Sequence, residues 1–136
     1  MAEEIKCVIN DPKNGKSFTK AVEGTVLEGR KIGDGVPGNL MGLTGYELKV
    51  TGGSDDAGFP MRPEIDTAHR KKLFVQKSIG VNVKRKGMFK RKSVRGNIIS
   101  NNTAQVNIMV TKYGTKPVQE LLAPAAEEKP AEEKKE

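Results

Sequence analysis

Seven of the twelve residues from Lys84 to Arg95 are Lys or Arg, and none is acidic. Side chains of one sign packed this densely repel one another, so the stretch cannot be the inside of a folded unit. Its chemistry is charge neutralisation. Cations held on a surface neutralise phosphates and release condensed counterions, and phosphate backbones are the commonest partner of such a surface. Arg85, Arg91 and Arg95 can grip a phosphate with two parallel N–H donors, whereas Lys84, Lys86, Lys90 and Lys92 act as point charges. Phe89, inside the run, can either stack on an unpaired base or anchor the loop to the core. The context argues against a merely solvated loop. No Asp or Glu occurs between Asp66 and Glu120, an interval holding thirteen Lys and Arg. Residues 1–66 carry eleven acids against eight bases, and residues 120–136 carry six against three. The net +7 is therefore a middle of +13 less two flanks of −3 each. An ordinary soluble surface mixes its signs. The same interval contributes His69, Arg70, Lys71, Lys72 and Lys77 to the expected nucleic-acid contacts, and Arg62 precedes it.

Other chemistry is poorly supplied. Asp55 and Asp56 are adjacent carboxylates without an evident third ligand, so an Asx-type turn accepting nearby backbone N–H groups is preferred to a metal or catalytic pair. One Cys and one His cannot build a tetrahedral zinc site, and His69 beside three bases reads as another phosphate or base contact. Cys7 lies among alternating apolar positions, which implies a buried, inert thiol. Gly33-Asp34-Gly35-Val36-Pro37-Gly38 matches G-x-G-x-x-G, but Pro37, Gly38, Gly42 and Gly45 would punctuate the helix that a dinucleotide site requires. Lys86-Gly87-Met88-Phe89 lacks the spaced aromatics of an RNA-recognition motif, and no helix pair suits a helix-turn-helix. Shape-based binding to folded RNA is the favoured reading. The rivals are an architectural or packaging protein on duplex DNA and an enzyme using the Asp55–Asp56 loop on phosphorylated substrates.

The elements that must carry the basic run read as strands. Ile5, Cys7 and Ile9 alternate with Lys6 and Val8, Asp11 to Gly15 makes a turn, and Phe18 and Val22 share a face of a second strand. A short strand near Val26–Lys31 precedes an ordered loop. Tyr46, Leu48 and Val50 alternate, and Gly52-Gly53 is expected to end that strand abruptly. Phe59 and Met61 should pin the following loop to the core. Ile65 to Lys72 is expected to form a short helix capped by Asp66 or Thr67, and Ile79, Val81 and Val83 a strand leading into the basic run. Val94, Ile98 and Ile99 mark a strand interrupted near Gly96, Asn101-Asn102-Thr103 a turn, and Val106, Ile108 and Val110 the strand that closes a hairpin. Pro117 to Leu122 suits a turn or two of helix. From Pro124 the chain is only Ala, Glu, Lys and Pro, a composition that buries nothing and should be disordered.

With 136 residues, 35% of them hydrophobic, and fifteen Gly, the chain holds one modest core. The expected fold is mostly β: a small closed or partly open barrel of about six to eight short strands, with one or two short helices. It forms one domain over residues 1–123, followed by the tail 124–136. No apolar run reaches the ~20 residues of a membrane span, and Met1-Ala2-Glu3-Glu4 does not read as a secretion signal. A cytoplasmic protein without cofactor or small-molecule substrate is expected.

Two blocks carry a resemblance. Gly52-Gly53-Ser54-Asp55-Asp56-Ala57-Gly58-Phe59-Pro60-Met61-Arg62 and Lys90-Arg91-Lys92-Ser93-Val94-Arg95-Gly96 resemble, in kind and separation, the two shared blocks of the ribosomal protein S6e family of the small subunit, over roughly residues 4–115. The resemblance implies a β-barrel structural protein of the ribosome that binds small-subunit ribosomal RNA beside neighbouring ribosomal proteins. Lys90, Arg91, Lys92 and Arg95 match its basic block. Eukaryotic members end in a long basic tail with regulatory serines; here the tail is short, Glu-rich and free of Ser, as expected of an archaeal member.

Overall fold

The computed structural model describes residues 4–122. Seven strands and one α-helix follow in order: β1 (Glu4–Asp11), β2 (Lys16–Glu23), β3 (Gly35–Pro37), β4 (Glu47–Asp55), β5 (Arg70–Val75), β6 (Lys90–Arg95), β7 (Thr103–Lys112) and α1 (Val118–Leu122). The mostly-β expectation holds. Five strands form one sheet in the order β2-β1-β7-β4-β3, and β5 and β6 form a separate two-stranded ribbon. The sheet does not close into a barrel: its edges, β2 and β3, are not paired with each other. Its buried face is covered instead by the irregular segment between β2 and β4. That segment supplies Leu27, Met41 and Leu43 to the same core as Ile5, Cys7 and Ile9 of β1, Val36 of β3, Leu48 and Val50 of β4, and Val106, Ile108 and Val110 of β7.

Alternation set these faces correctly. In β1 every second residue from Ile5 is buried, and β2 joins it antiparallel through the Asp11–Gly15 turn. The first and last strands meet in the centre of the sheet, where β1 runs parallel to β7. This pairing replaces the expected hairpin between β7 and the Val94–Ile99 segment. Cys7 is buried between them, and burial pushes its thiol up to about 11.

Four local expectations are corrected. Gly52 and Gly53 do not end β4; they lie inside it, where β4 bulges at Thr51 against β7. A side chain at Gly53 would overlap the Gln105 carbonyl of β7, so only glycine lets the strands approach there. Val26–Lys31 is not a strand: a single 3₁₀ turn covers Gly24–Val26, and Lys31 makes one bridge to Ile98. Ile79–Val83 is not a strand: Ser78 and Val81 bridge across a tight turn, and the strand lies upstream as β5. The Ile65–Lys72 helix is absent because its backbone finds partners in a distant segment. Asn97 N–H donates to the Ile65 carbonyl and Gly96 N–H to that of His69. The Asp66 carboxylate, the expected cap, accepts from Asn97 Nδ2 at 2.7 Å instead. The short helix after Pro117 is present as α1, with Val118 in the core. The expected disordered tail lies outside the described residues.

Candidate nucleic-acid interface

The basic run becomes one arm and the loop of the β5–β6 ribbon. Strand β6 begins at Lys90 and pairs antiparallel with β5 from Val75↔Lys90 to Arg70↔Arg95. Residues 76–89 form the connecting loop. Because side chains alternate across a strand, the register sorts the ribbon into two faces. One carries Arg70, Lys72 and Phe74 opposite Arg95, Ser93 and Arg91; the other carries Lys71, Leu73 and Val75 opposite Val94, Lys92 and Lys90. Leu73 and Val75 are half-buried and Val94 is buried, so the second face packs inward at its centre. The first is open beyond its base.

That base is held by one carboxylate. Asp55, at the end of β4, has a fully buried side chain. Its Oδ2 accepts from Arg70 Nε at 2.6 Å and lies 3.5 Å from Arg95 Nη1. Its Oδ1 accepts the backbone N–H groups of Ala57 at 3.0 Å and Phe59 at 2.9 Å. The Asx turn expected at Asp55–Asp56 is therefore present, and among the described residues no cluster of three His, Cys, Asp or Glu could hold a metal. Burial works to raise the Asp55 carboxyl, but the hydrogen bonds from Arg70 and Phe59, the Arg70 charge and the Ala57 N–H outweigh it and hold the group below the ordinary carboxylate range. Arg70 is raised in turn, first by its hydrogen bond to Asp55. Its second nitrogen donates to Asp56 at 2.9 Å, and its guanidinium lies 5.0 Å from the centre of the Phe59 ring. One residue from each strand of the ribbon thus converges on Asp55.

The other arginine at this end is also engaged. Arg62 donates to Ser78 Oγ and Glu64, each at 2.9 Å, and its backbone N–H donates to the Arg95 carbonyl. Arg62 and Arg95, expected among the surface contacts, are only 5% and 4% exposed. They are interior fasteners, and the reason is pairing: the carboxylates just before the acid-free interval fold back onto them.

The remaining cations stay outside. Lys71, Lys72, Lys77, Lys84, Arg85, Lys86, Lys90, Arg91 and Lys92 all lie on the ribbon or its loop, and none forms an ion pair among the described residues. All are exposed except Lys90, which is half-buried. His69 is exposed immediately before β5, its carbonyl accepting from Gly96 N–H. A cavity of about 270 Å³ in the loop is lined by Lys77, Lys84, Arg85 and Lys86. The larger cavity of about 430 Å³, between β3 and β4, contains none of the expected contact residues.

Phe89 does not anchor the loop to the core: it is exposed and lies outside the core cluster. Its ring stacks on Phe74, with centroids 5.2 Å apart and planes inclined by 13°. Phe74 was not anticipated; a single aromatic in a basic strand looks like ordinary core material. The available signal was its position two residues beyond Lys72, on the face that the buried Val94 does not occupy.

The description "Ribosomal protein S6e" belongs to the family model that matches residues 5–123. The chain belongs to that family. It is similar to proteins called "Small ribosomal subunit protein eS6" from several archaea. The one from Methanococcus maripaludis (strain C7) is 45% identical over 114 residues, 84% of this chain and 92% of the relative. The one from Archaeoglobus fulgidus is 43% identical over 122 residues, 87% and 95%. The one from Nanoarchaeum equitans is 46% identical over 123 residues, 88% and 90%. Both blocks read from the sequence lie inside the matched span. An S6e chain with archaeal relatives is a structural protein of the ribosome rather than an enzyme, and is associated with ribosomes in the cytoplasm.

Proposed function

We propose that this S6e member is a structural constituent of the small ribosomal subunit that binds ribosomal RNA through the β5–β6 ribbon and its loop, beside neighbouring ribosomal proteins. One observation carries the reading: nine cations on the β5–β6 ribbon and its loop have no carboxylate partner among the described residues. Their mutual repulsion is an unrelieved cost in the free chain, and a phosphate backbone relieves it. The proposed contacts are His69, Lys71, Lys72, Lys77, Lys84, Arg85, Lys86, Phe89, Lys90, Arg91 and Lys92. Arg70 orients the ribbon from its base and is half-exposed toward the same side. Arg62 and Arg95 fix the ribbon without touching RNA. Folded RNA is favoured over duplex DNA because the ribbon is short, bears exposed aromatics, and brings no helix to a major groove.

The test compares binding of purified small-subunit RNA and of duplex DNA at matched salt. RNA should bind more tightly at every salt concentration. Equal affinity would favour a packaging role and end the ribosomal RNA assignment of this surface.

A further inference from the structure

Four large apolar side chains are exposed among the described residues: Leu40, Phe74, Ile79 and Phe89. Three of them sit on the ribbon or its loop. Phe74 is 65% exposed and Phe89 48%, although they lie among the densest charge of the molecule. Their near-parallel rings support each other, so the pair is preformed and loses little side-chain freedom on binding. The register puts Phe74 directly opposite Arg91, with Lys72 two residues away on the same face. An exposed apolar patch of this kind marks a contact site, and its surroundings select the partner. An apolar protein surface would have to come with several acidic groups; a nucleobase carries its phosphate with it.

We propose that Phe74 and Phe89 form a stacking platform for an unpaired nucleobase of RNA, with Arg91 and Lys72 meeting the phosphates on either side. This rests on the RNA-binding reading and sharpens it: the ribbon takes a single-stranded or bulged nucleotide, not only the outside of a helix. Bases inside a duplex have no free face to offer, whereas every unpaired base does. Phe74 supplies the outer ring and Phe89 supports it.

The test uses the full chain with two probes, single-stranded oligoadenylate and blunt duplex RNA of equal charge, at the same low salt. F74L and F89L keep apolar bulk but remove the ring. Each should weaken oligoadenylate binding by roughly 5- to 100-fold, the range expected of a lost base–aromatic stack, and change duplex binding by less than about 2-fold. A second variant removes dependence on affinity alone. The chain has no Trp, so F74W introduces a single indole whose fluorescence should be quenched by oligoadenylate and not by the duplex. An unchanged oligoadenylate affinity in F74L, equal losses on both probes, or no quenching on a bound single strand would each overturn the platform. Replacing Lys90, Arg91 and Lys92 by Ala separates the two levels. If that variant binds both probes as tightly as wild type, the RNA interface itself is wrong. If it weakens both while F74L weakens neither, only the platform is wrong.

Discussion

Replacing Asp55 by Asn should loosen the ribbon from the sheet at nearly constant shape. The carboxylate is fully buried, Arg95 beside it is 5% exposed at the side chain, and their charged atoms are 3.5 Å apart. At an effective dielectric constant of about 20, that separation corresponds to roughly 4–5 kcal/mol of attraction. The amide can still accept from the Ala57 and Phe59 N–H groups, but it cannot neutralise Arg95, whose Nε already lacks a hydrogen-bond partner among the described residues. Stranding one member of a buried pair costs about 3–5 kcal/mol. The Arg70 side chain is 41% exposed and regains water, so its share is screened. A loss near ~3 kcal/mol at pH 7 follows, a fall of roughly 10 °C in Tm for a domain of this size. The pH dependence has a definite sign. The Asp55 carboxyl titrates below its ordinary value in the folded chain, so its contribution is complete above the unfolded value of about 3.9 and is lost as pH falls through the lower folded value. The gap between wild type and D55N, measured by urea unfolding, should be constant from pH 7 to about 5 and should close in acid. Amide exchange in β6 should accelerate in the variant. A gap under ~0.5 kcal/mol at pH 7, or one that persists unchanged to pH 2, would refute the claim that Asp55 is the ribbon's fastener.

Three further outcomes are expected. Replacing Lys90, Arg91 and Lys92 together by Ala should weaken RNA binding and flatten the dependence of log K on log salt by about 2, taking ~0.7 per phosphate contact on single strands; an unchanged slope removes those three from the contact set. Gly96→Ala should destabilise by about 3 kcal/mol in urea, because the added methyl would overlap the Thr67 backbone carbonyl and force the 96–98 segment away from its partners; a midpoint equal to wild type would show that the segment yields freely. Cys7, buried with its thiol raised to about 11, should react with a disulfide reagent at neutral pH only as fast as the chain opens. Rapid stoichiometric labelling of the native protein would contradict its burial.

Strand faces were legible where alternation was clean. Ile5-Cys7-Ile9, Leu48-Val50 and Val106-Ile108-Val110 are buried as their spacing requires, because period-two patterning depends only on which face meets the core. Pairing partners were not legible. Nothing local to β7 says that it lies between β1 and β4, since that order depends on contacts far apart in the chain, such as Lys6↔Gln105 and Asp55↔Thr103. The missing helix at Ile65–Lys72 failed for the same reason. Its capping signals were genuine, but Asp66 and the backbone carbonyls of Ile65, Thr67 and His69 were claimed by residues 96–98, and tertiary partners override a weak helical preference. The basic stretch was legible as a surface, whereas the division of labour within it was not.

That division follows from where the acids stop. Asp55, Asp56, Glu64 and Asp66 are the last carboxylates before the acid-free interval, and each meets a cation or amide at the root of the ribbon: Asp55 holds Arg70 and Arg95, Asp56 holds Arg70, Glu64 holds Arg62, and Asp66 holds Lys31 and Asn97. The cations bound there from within or beside the basic interval are all arginines, whose planar guanidinium can satisfy several acceptors at once and tolerates burial better than an ammonium. Of the nine cations farther out that have no ion-pair partner among the described residues, seven are lysines, strongly hydrated and free to turn toward a phosphate. Charge counting alone treats all of these residues as equivalent. The fold makes the inner ones a hinge pin and leaves the outer ones as the surface, so removing an inner arginine should show first in stability, and removing an outer lysine first in the salt dependence of binding.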